Sequence, residues 1–456
     1  MNRILRICLS LALLALLAAP TRAADKLIWR SSERVDADIA GWSLTQLLEQ
    51  LAEVTGWQVF VEPGTTLKSP VSVKFSNLTP TDALGRMLGE LSFAVLPQAN
   101  ATAKLFVFRT FVSDATQPVR PPGIKARPIA NELVLLRKPG SKADADELAK
   151  RLGAKITGRL NDPGAYRLKF DSADAARQAQ SALNGNADFN VDYNYALPRP
   201  VTADALAASS LLPFTLKPAA STPTGQVIVG LVDQPVQGSA PYRDFLLPGI
   251  AVAGEATPGD ASPTHGTAMF ETVLRGLAST QDKNATTTVR VLPVDVYGND
   301  ANTSTFNVAR GIVEAINAGA TVVNLSLGSA GDSQLLHNII TQGAARGVMF
   351  IAAAGNEPTT TPTYPAAYPE VLAVTAGGRD GQLASYANRG DFVDLAAPGS
   401  SIVYFGGKAY LISGTSASTA FVTGLAAGMK ADTGATTAAV TSKLKELLAP
   451  PKPPGK

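Results

Sequence analysis

Val227-Ile228-Val229-Gly230-Leu231-Val232-Asp233 is a run of apolar residues and one glycine, closed by a carboxylate. Such a run, without alternation of polar positions, marks a strand buried on both faces, as in a parallel sheet covered by helices. Its carboxylate then lies at the strand's C-terminal mouth, where open parallel sheets place their ligands. Runs at Val289 to Val294, Val322 to Leu327 and Val348 to Ala353 repeat the pattern, with intervals between them long enough for crossover helices. The predicted fold class is α/β, a mostly parallel sheet flanked by helices over residues 225–449.

Two other residues have settings that fit that carboxylate. Ser416 lies in Ser413-Gly414-Thr415-Ser416-Ala417-Ser418, where small residues free a serine at a strand-to-helix turn. His265 lies in Thr264-His265-Gly266-Thr267 and is one of two histidines in 456 residues; the other, His337, reads as part of an amphipathic helix face. A serine hydroxyl attacks a carbonyl at neutral pH only if a neutral imidazole takes its proton, and a buried carboxylate must hold that imidazole in the right tautomer. Attack builds negative charge on the carbonyl oxygen. Ile351-Ala352-Ala353-Ala354-Gly355-Asn356-Glu357, a buried strand ending in Gly-Asn, offers the Asn356 amide as donor. The N–H of Ser416, in the first turn of a helix, offers a second. The chain order Asp233, His265, Ser416 is one of the known orders of a catalytic triad.

These motifs resemble the subtilisin-like (subtilase) serine peptidases over about residues 225–450. The family's Asp strand, His-Gly-Thr, Ala-Gly-Asn and Gly-Thr-Ser correspond in order to Val229 to Asp233, His265 to Thr267, Ala354 to Asn356 and Gly414 to Ser416. Ala320 to Gly328, Tyr364-Pro365-Ala366 with Val371 to Val374, and Leu395 to Gly399 resemble the connecting segments. The resemblance implies a serine endopeptidase with Asp233, His265 and Ser416 catalytic and Asn356 as oxyanion donor. It implies a peptide substrate extended along Leu325, Ser326, Leu327 and Gly328, with Ala353, Ala354 and Gly355 lining a side-chain pocket. Catalysis by this set requires no cofactor and no metal ligand is assigned. Structural calcium is common in the family, and Asp295, Asn299 and Asp300 make an oxygen-rich loop that reads first as a solvated turn. Two departures stand out. Gln234-Pro235 replaces the usual Thr or Ser and Gly after the Asp, which removes the usual hydrogen bonds of that loop. Ala420 and Phe421 replace the usual Pro and His behind the nucleophile, which bears on the helix there.

Ahead of this region the chain is modular. Residues 1–23 have the layout of a secretory signal: Arg3 and Arg6, the apolar run Ile7 to Ala19, and Thr21-Arg22-Ala23 at the cleavage position. Cys8, the single cysteine, falls within it, so no disulfide stabilises the mature chain. The formal charge of +3 loses Arg3, Arg6 and Arg22 with the signal, leaving about zero, which gives no support to a nucleic-acid partner. The expected location is exported, periplasmic or extracellular, in a bacterium.

Residues 25–110 read as a small α+β module. Ser43 to Gln46 fits a capping box, Leu44, Leu47, Leu48, Leu51 and Val54 recur at helical spacing until Gly56, and Thr79-Pro80 opens a second helix. Asp38-Ile39-Ala40-Gly41 and Phe75 to Pro80 resemble the short N-terminal domain of secretins and TonB-dependent signalling receptors. That implies an envelope protein partner; a stabilising appendage is the other reading. Residues 111–130, with Pro118, Pro121, Pro122 and Pro128, read as a linker. Residues 131–197 follow a βαββαβ order which, directly ahead of a subtilase-like region, resembles the family's propeptide. Residues 198–224 read as a linker that passes through the cleft as an added strand and carries an autoprocessing site. The Pro-rich tail 450–456 is expected to be disordered.

Two rival readings are open. One is a catalytically weak or inactive subtilase fold acting as a protein-binding module in an envelope assembly. The other, an α/β-hydrolase esterase, needs a histidine after the serine, and none follows Ser416.

Overall fold

The computed structural model describes residues 26–30, 34–62, 65–98, 101–115, 117–119, 126, 128–200, 204–206, 215–219, 225–281, 286–378 and 381–451. The signal segment 1–23, most of the tail 450–456 and parts of the linker 198–224 lie outside them. The chain forms two compact units, divided between Gly123 and Ile124.

Among the described residues the first unit has two sheets, two α-helices and one 3-10 turn at Val112–Asp114. β1 (Lys26–Arg30) and β2 (Arg34–Trp42) lead into α1 (Leu44–Thr55), followed by β3 (Gln58–Val61), β4 (Val71–Leu78), α2 (Pro80–Leu88), β5 (Ser92–Gln98), β6 (Ala101–Phe108) and β7 (Gln117–Val119). The sheet orders are β1-β2-β4 and β5-β6-β3-β7. The capping signals operate as chemistry requires: Ser43 Oγ accepts from Gln46 N, Gly56 ends α1 at φ 68°, and Thr79 caps α2 with Pro80 in its first turn. Leu47, Leu48, Leu51, Leu84, Met87 and Leu88 are sealed inside the unit's own core. The sequence reading of 111–130 as a linker is corrected at both ends, since β7 joins β3 and the next strand begins at Pro128. Pro118 fits there because β7 is an edge strand, where a missing N–H costs no ladder bond.

The second unit opens with β8 (Pro128–Arg137), α3 (Ala145–Arg151), β9 (Lys155–Leu160), β10 (Ala165–Lys169), α4 (Ala173–Ala182) and β11 (Phe189–Pro198). Their sheet order is β11-β8-β10-β9. Leu133, Val134, Leu135 and Leu136 are all buried, so β8 is covered on both faces rather than half-exposed by alternation. Leu133 and Leu135 pack with α3 and α4, whereas Val134 and Leu136 join the core of the region downstream. Residues 131–197 and 225–449, read as separate modules from sequence, therefore share one continuous core.

Two short strands, β12 (Asp204–Ala205) and β13 (Lys217–Pro218), precede β14 (Ile228–Asp233) and β15 (Ile250–Ala251). Then come α5 (His265–Ala278), β16 (Thr286–Thr287), β17 (Arg290–Asp295), β18 (Asn302–Ser304), α6 (Thr305–Asn317), β19 (Ala320–Leu325), α7 (Gln334–Ala345) and β20 (Met349–Ala353). β21 (Val371–Gly377), β22 (Leu395–Pro398), the hairpin of β23 (Ser400–Phe405) and β24 (Lys408–Ser413), α8 (Thr415–Thr433) and α9 (Thr437–Leu447) complete the described elements. Seven strands form a parallel sheet in the order β15-β17-β14-β19-β20-β21-β22. The apolar runs of the sequence supply its centre. Helices α5 and α8 cover one face, and α6 and α7 the other. The first pair touch backbone to backbone: a Cβ on Gly276 would lie 2.0 Å from Phe421 O, and one on Gly424 2.0 Å from Val273 O. That close packing fixes the N-termini of α5 and α8 at one end of the sheet.

Candidate active site

Asp233 ends β14 and His265 begins α5, so the strand mouth and the helix start bring together residues 32 apart in sequence. His265 Nδ1 lies 2.8 Å from Asp233 Oδ1 and 2.9 Å from Oδ2. Their exposures are 3% and 0%, so the pair is shielded from water. A proton held on Nδ1 toward the carboxylate leaves Nε2 as the basic nitrogen. The glycine after His265 has a steric cause: a Cβ there would sit 2.0 Å from Gln234 O.

Gln234 does more than the sequence reading allowed. Its N–H donates to Asp233 Oδ1 at 2.6 Å, its Oε1 accepts from His265 N at 3.4 Å, and its Nε2 donates to Pro200 O at 3.1 Å. The loop that Gln234-Pro235 was expected to deprive of its usual hydrogen bonds is held by these others instead. An amide carries both donor and acceptor, so one side chain bonds in two directions. Pro235 O accepts from Thr264 Oγ1 at 2.6 Å, and Gln237 Oε1 accepts from Thr264 N at 2.8 Å, tying the loop to the start of α5.

Ser416 is the second residue of α8, entered through Gly414 at φ 148°. Its Oγ donates to Ser326 O at 3.3 Å, while Ser326 Oγ donates to Ser416 O at 3.2 Å. The structure has no hydrogen bond between Ser416 Oγ and His265; that link is open in this state, as catalytic hydrogen bonds commonly are without substrate. Gly414 has no side chain to cap α8, and Asn356 takes that role: its Oδ1 accepts from Thr415 N at 2.8 Å and from Thr415 Oγ1 at 3.0 Å. With Oδ1 so engaged, Nδ2 is the free donor, and a Cβ on Gly414 would come within 3.0 Å of it. Helix α8 continues unbroken past Ala420, which is fully buried, so the loss of the family's proline does not interrupt it.

The residues expected to bind substrate divide by burial. Leu325, Ala354 and Ser326 are 0–1% exposed, Leu327 5% and Ala353 6%, so their side chains belong to the interior and only backbone can face a peptide. Ala354 N and O are already bonded to Val374 O and Thr363 Oγ1, and Gly355 N donates to Thr415 Oγ1 at 3.1 Å while its O accepts from Asn388 N at 3.0 Å, so of these three residues Gly328 is the one whose backbone has no bond of this kind. Several supporting residues escaped sequence reasoning. Buried Asn324 donates to Ser326 Oγ at 2.9 Å and accepts from Thr423 Oγ1 at 3.0 Å, clamping β19 to α8. Its signal was available, as a polar residue inside the apolar run Val322 to Leu327.

The oxygen-rich loop does not converge on one point. Asp295 Oδ1 accepts from Tyr297 N at 2.9 Å and Gly298 N at 3.0 Å, while Asn299 turns to Thr257 N and Glu255 O. Among the described residues no group of three or more His, Cys, Asp or Glu is placed to hold a metal ion. A cavity of about 170 Å³ between Thr272, Ser401 and Phe421 borders Ala417 but not Ser416 or His265.

The upstream chain meets this end of the sheet. Asp192 Oδ2 accepts from Ser333 Oγ at 2.8 Å and Leu335 N at 3.0 Å at the start of α7. Asn194 Oδ1 accepts from Phe306 N at 3.0 Å and Thr305 Oγ1 at 3.1 Å at the start of α6. Both satisfy N–H groups that a helix cannot pair internally. Burial raises the Asp192 carboxyl above its ordinary range, these bonds oppose the shift, and Asp332 nearby adds to it. Beyond β11 the chain pairs twice more. Ala196 to Pro198 run antiparallel to Ser304 to Asn302, and Asp204 and Ala205 pair with Leu411 and Tyr410 of β24. The expected passage of residues 198–224 through the cleft falls in large part on residues 201–203, 207–214 and 220–224, which lie outside the described residues.

A family model described as the subtilase family matches residues 225–449, and one described as the fervidolysin N-terminal prodomain matches 116–195. Subtilisin BL of Lederbergia lenta is 32% identical over 194 residues, covering 42% of this chain and 72% of that protein. The chain belongs to the subtilase family. Another subtilase relative, the thermophilic serine proteinase of Bacillus sp. strain AK1, is 35% identical over 164 residues, 34% of this chain and 41% of its own length. In fold, the crystal structure of fervidolysin from Fervidobacterium pennivorans aligns with a TM-score of 0.52 at 19% identity, over 67% of this chain and 55% of that one. No described helix is long and apolar enough to cross a membrane.

Proposed function

We propose that this protein is an exported serine endopeptidase made as a zymogen, with Asp233, His265 and Ser416 as its triad and Asn356 as oxyanion donor. The observation that carries the reading is the locking of Asn356 Oδ1 by Thr415, which leaves its amide donor beside Ser416 while Asp233 orients His265. In the reaction His265 Nε2 takes the Ser416 hydroxyl proton as Oγ attacks the peptide carbonyl carbon. Asp233 stabilises the imidazolium, and Asn356 Nδ2 with Ser416 N–H receives the oxyanion. His265 then gives the proton to the departing amine, and water enters by the same steps to release the acyl group. No cofactor is needed for this sequence.

Residues 131–197 act as propeptide, and the segment after them is the first substrate. Pro200 reaches Gln234 on the acid side, and Asp204 reaches β24, the strand leading into Ser416. The first cut therefore falls between Pro200 and Asp204. N-terminal sequencing of the matured protein tests this: a new terminus at residues 201–204 is expected, and full-length protein that is already active contradicts it. The signal layout of residues 1–23 supports export, and the independent core of residues 25–110 supports a separate partner-binding module. The rival reading of an inactive, protein-binding fold draws on one observation, the turn of Ser416 Oγ to Ser326 O. Covalent labelling of Ser416 separates the two.

A further inference from the structure

Arg199, next to the expected cut, sits in a place shaped for a guanidinium. Its backbone N–H donates to Ala301 O at 2.9 Å. Its Nε donates to Asp300 O at 2.9 Å and its Nη2 to Gly298 O at 2.7 Å, and its guanidinium carbon lies 5.7 Å from the centre of the Tyr297 ring. Two carbonyls and an aromatic face match the planar fork of arginine better than the point charge of lysine.

The turn that makes these contacts is built by the catalytic domain alone. Asp295 Oδ1 holds Tyr297 N and Gly298 N, Gly298 adopts φ 56° with only 2.7 Å between an added Cβ and Ala253 O, and Asp300 N closes on Tyr297 O at 3.0 Å. These bonds aim Gly298 O and Asp300 O toward Arg199. The other carboxylate oxygen, Asp295 Oδ2, has no hydrogen-bond partner although the residue is only 5% exposed. Burial raises this carboxyl, and the Tyr297 and Gly298 N–H groups and the Arg199 guanidinium oppose that rise, so Arg199 favours the charged form of Asp295; Tyr297, itself fully buried, anchors the strap of residues 196–200 by donating to Pro198 O at 3.2 Å.

We propose that the turn from Asp295 to Ala301 is a specificity subsite for an arginine side chain on the N-terminal side of the cut bond in peptide substrates. The proposal rests on the peptidase reading given above. Backbone pairing with β18 accepts any sequence, so side-chain selection in this stretch falls to the apolar burial of Leu197 and to the arginine turn. Gln234 Nε2 takes the carbonyl of the next residue, Pro200, whatever its side chain, and so registers the arginine against Asp233 and His265. Once the strap leaves, the turn persists and is open to a second peptide.

The test uses autoprocessed wild-type protein and quenched peptides with the sequence of Tyr195 to Leu206, in which the arginine is kept or replaced by citrulline, lysine or alanine. Loss of the charge alone, in citrulline, is expected to lower kcat/KM about tenfold, with alanine lower still and lysine between arginine and citrulline. In Asp295→Asn the ratio of arginine to citrulline peptide narrows. Equal kcat/KM for all four peptides, with casein still cleaved in a Ser416-dependent way, overturns the subsite and leaves the peptidase reading standing. Hydrolysis that survives Ser416→Ala sinks both.

Discussion

The two halves of the site are held differently. On the acid–base side, Asp233 and His265 are buried, bonded through two oxygen contacts, and backed by Gln234, Gln237 and Thr264. On the nucleophile side Asn356 is locked but Ser416 is parked on a backbone carbonyl. The closed half is built wholly from residues 233–267. The open half becomes reactive when Ser416 Oγ leaves Ser326 O and turns its proton to His265 Nε2. The contrast teaches that the resting state is set at one atom, Ser416 Oγ, while the expensive desolvation of the Asp–His pair is settled by folding.

Breaking the closed half should cost most. Asp233→Asn keeps the shape but favours the wrong imidazole tautomer, so kcat is expected to fall about 10⁴-fold, with Ser416 still present for labelling at a reduced rate. Steady-state kinetics on casein check it, and a loss under tenfold would mean that His265 is oriented by other groups. On the open side, Asn356→Ala removes the oxyanion donor and the surrogate cap of α8 together. A fall of about 10²–10³ in kcat is expected, the size seen when the corresponding amide is removed from subtilisin, with KM little changed. Parallel loss in KM would instead assign Asn356 to substrate binding.

Gln234→Ala probes the bridge between the halves and the strap. It deletes the bonds to His265 N and Pro200 O but spares the Gln234 N–H to Asp233, so the first cut should slow about tenfold, read by the rate at which the new N-terminus appears. The smallest effect concerns pH. The Asp192 carboxyl is raised by burial in the docked propeptide, so docking is strongest below the ordinary carboxylate range and weakens as pH rises through the raised value. Dissociation of the cut propeptide, followed by size exclusion, is expected to quicken as pH rises from the ordinary carboxylate range through the raised value. Asp192→Asn should flatten that dependence, and an unchanged slope would remove Asp192 from the release step.

How much was legible in the sequence follows from what each feature depends on. The runs at Val227, Val289, Val322 and Val348 became β14, β17, β19 and β20, because burial on both faces leaves a local imprint. Asp233, His265, Asn356 and Ser416 were named from short motifs; in the fold Asp233 meets His265 Nδ1, and Asn356 meets Thr415, the neighbour of Ser416. The bonds of Gln234 could not be read from sequence because its partners, His265 N and Pro200 O, are set by tertiary approach rather than by neighbours in sequence. The same holds for β7, β12 and the shared core under Val134 and Leu136. In β8, four successive apolar residues, Leu133 to Leu136, carry in the sequence itself the two-sided burial seen in the fold.

The account is tested most directly by a serine-directed covalent probe on the wild type and on Ser416→Ala, with the labelled residue identified by mass spectrometry. It predicts one label, on Ser416, in matured wild-type protein and none in the variant, which also stays uncut. A wild type that is processed yet never labelled, or a label that survives the substitution, would contradict it.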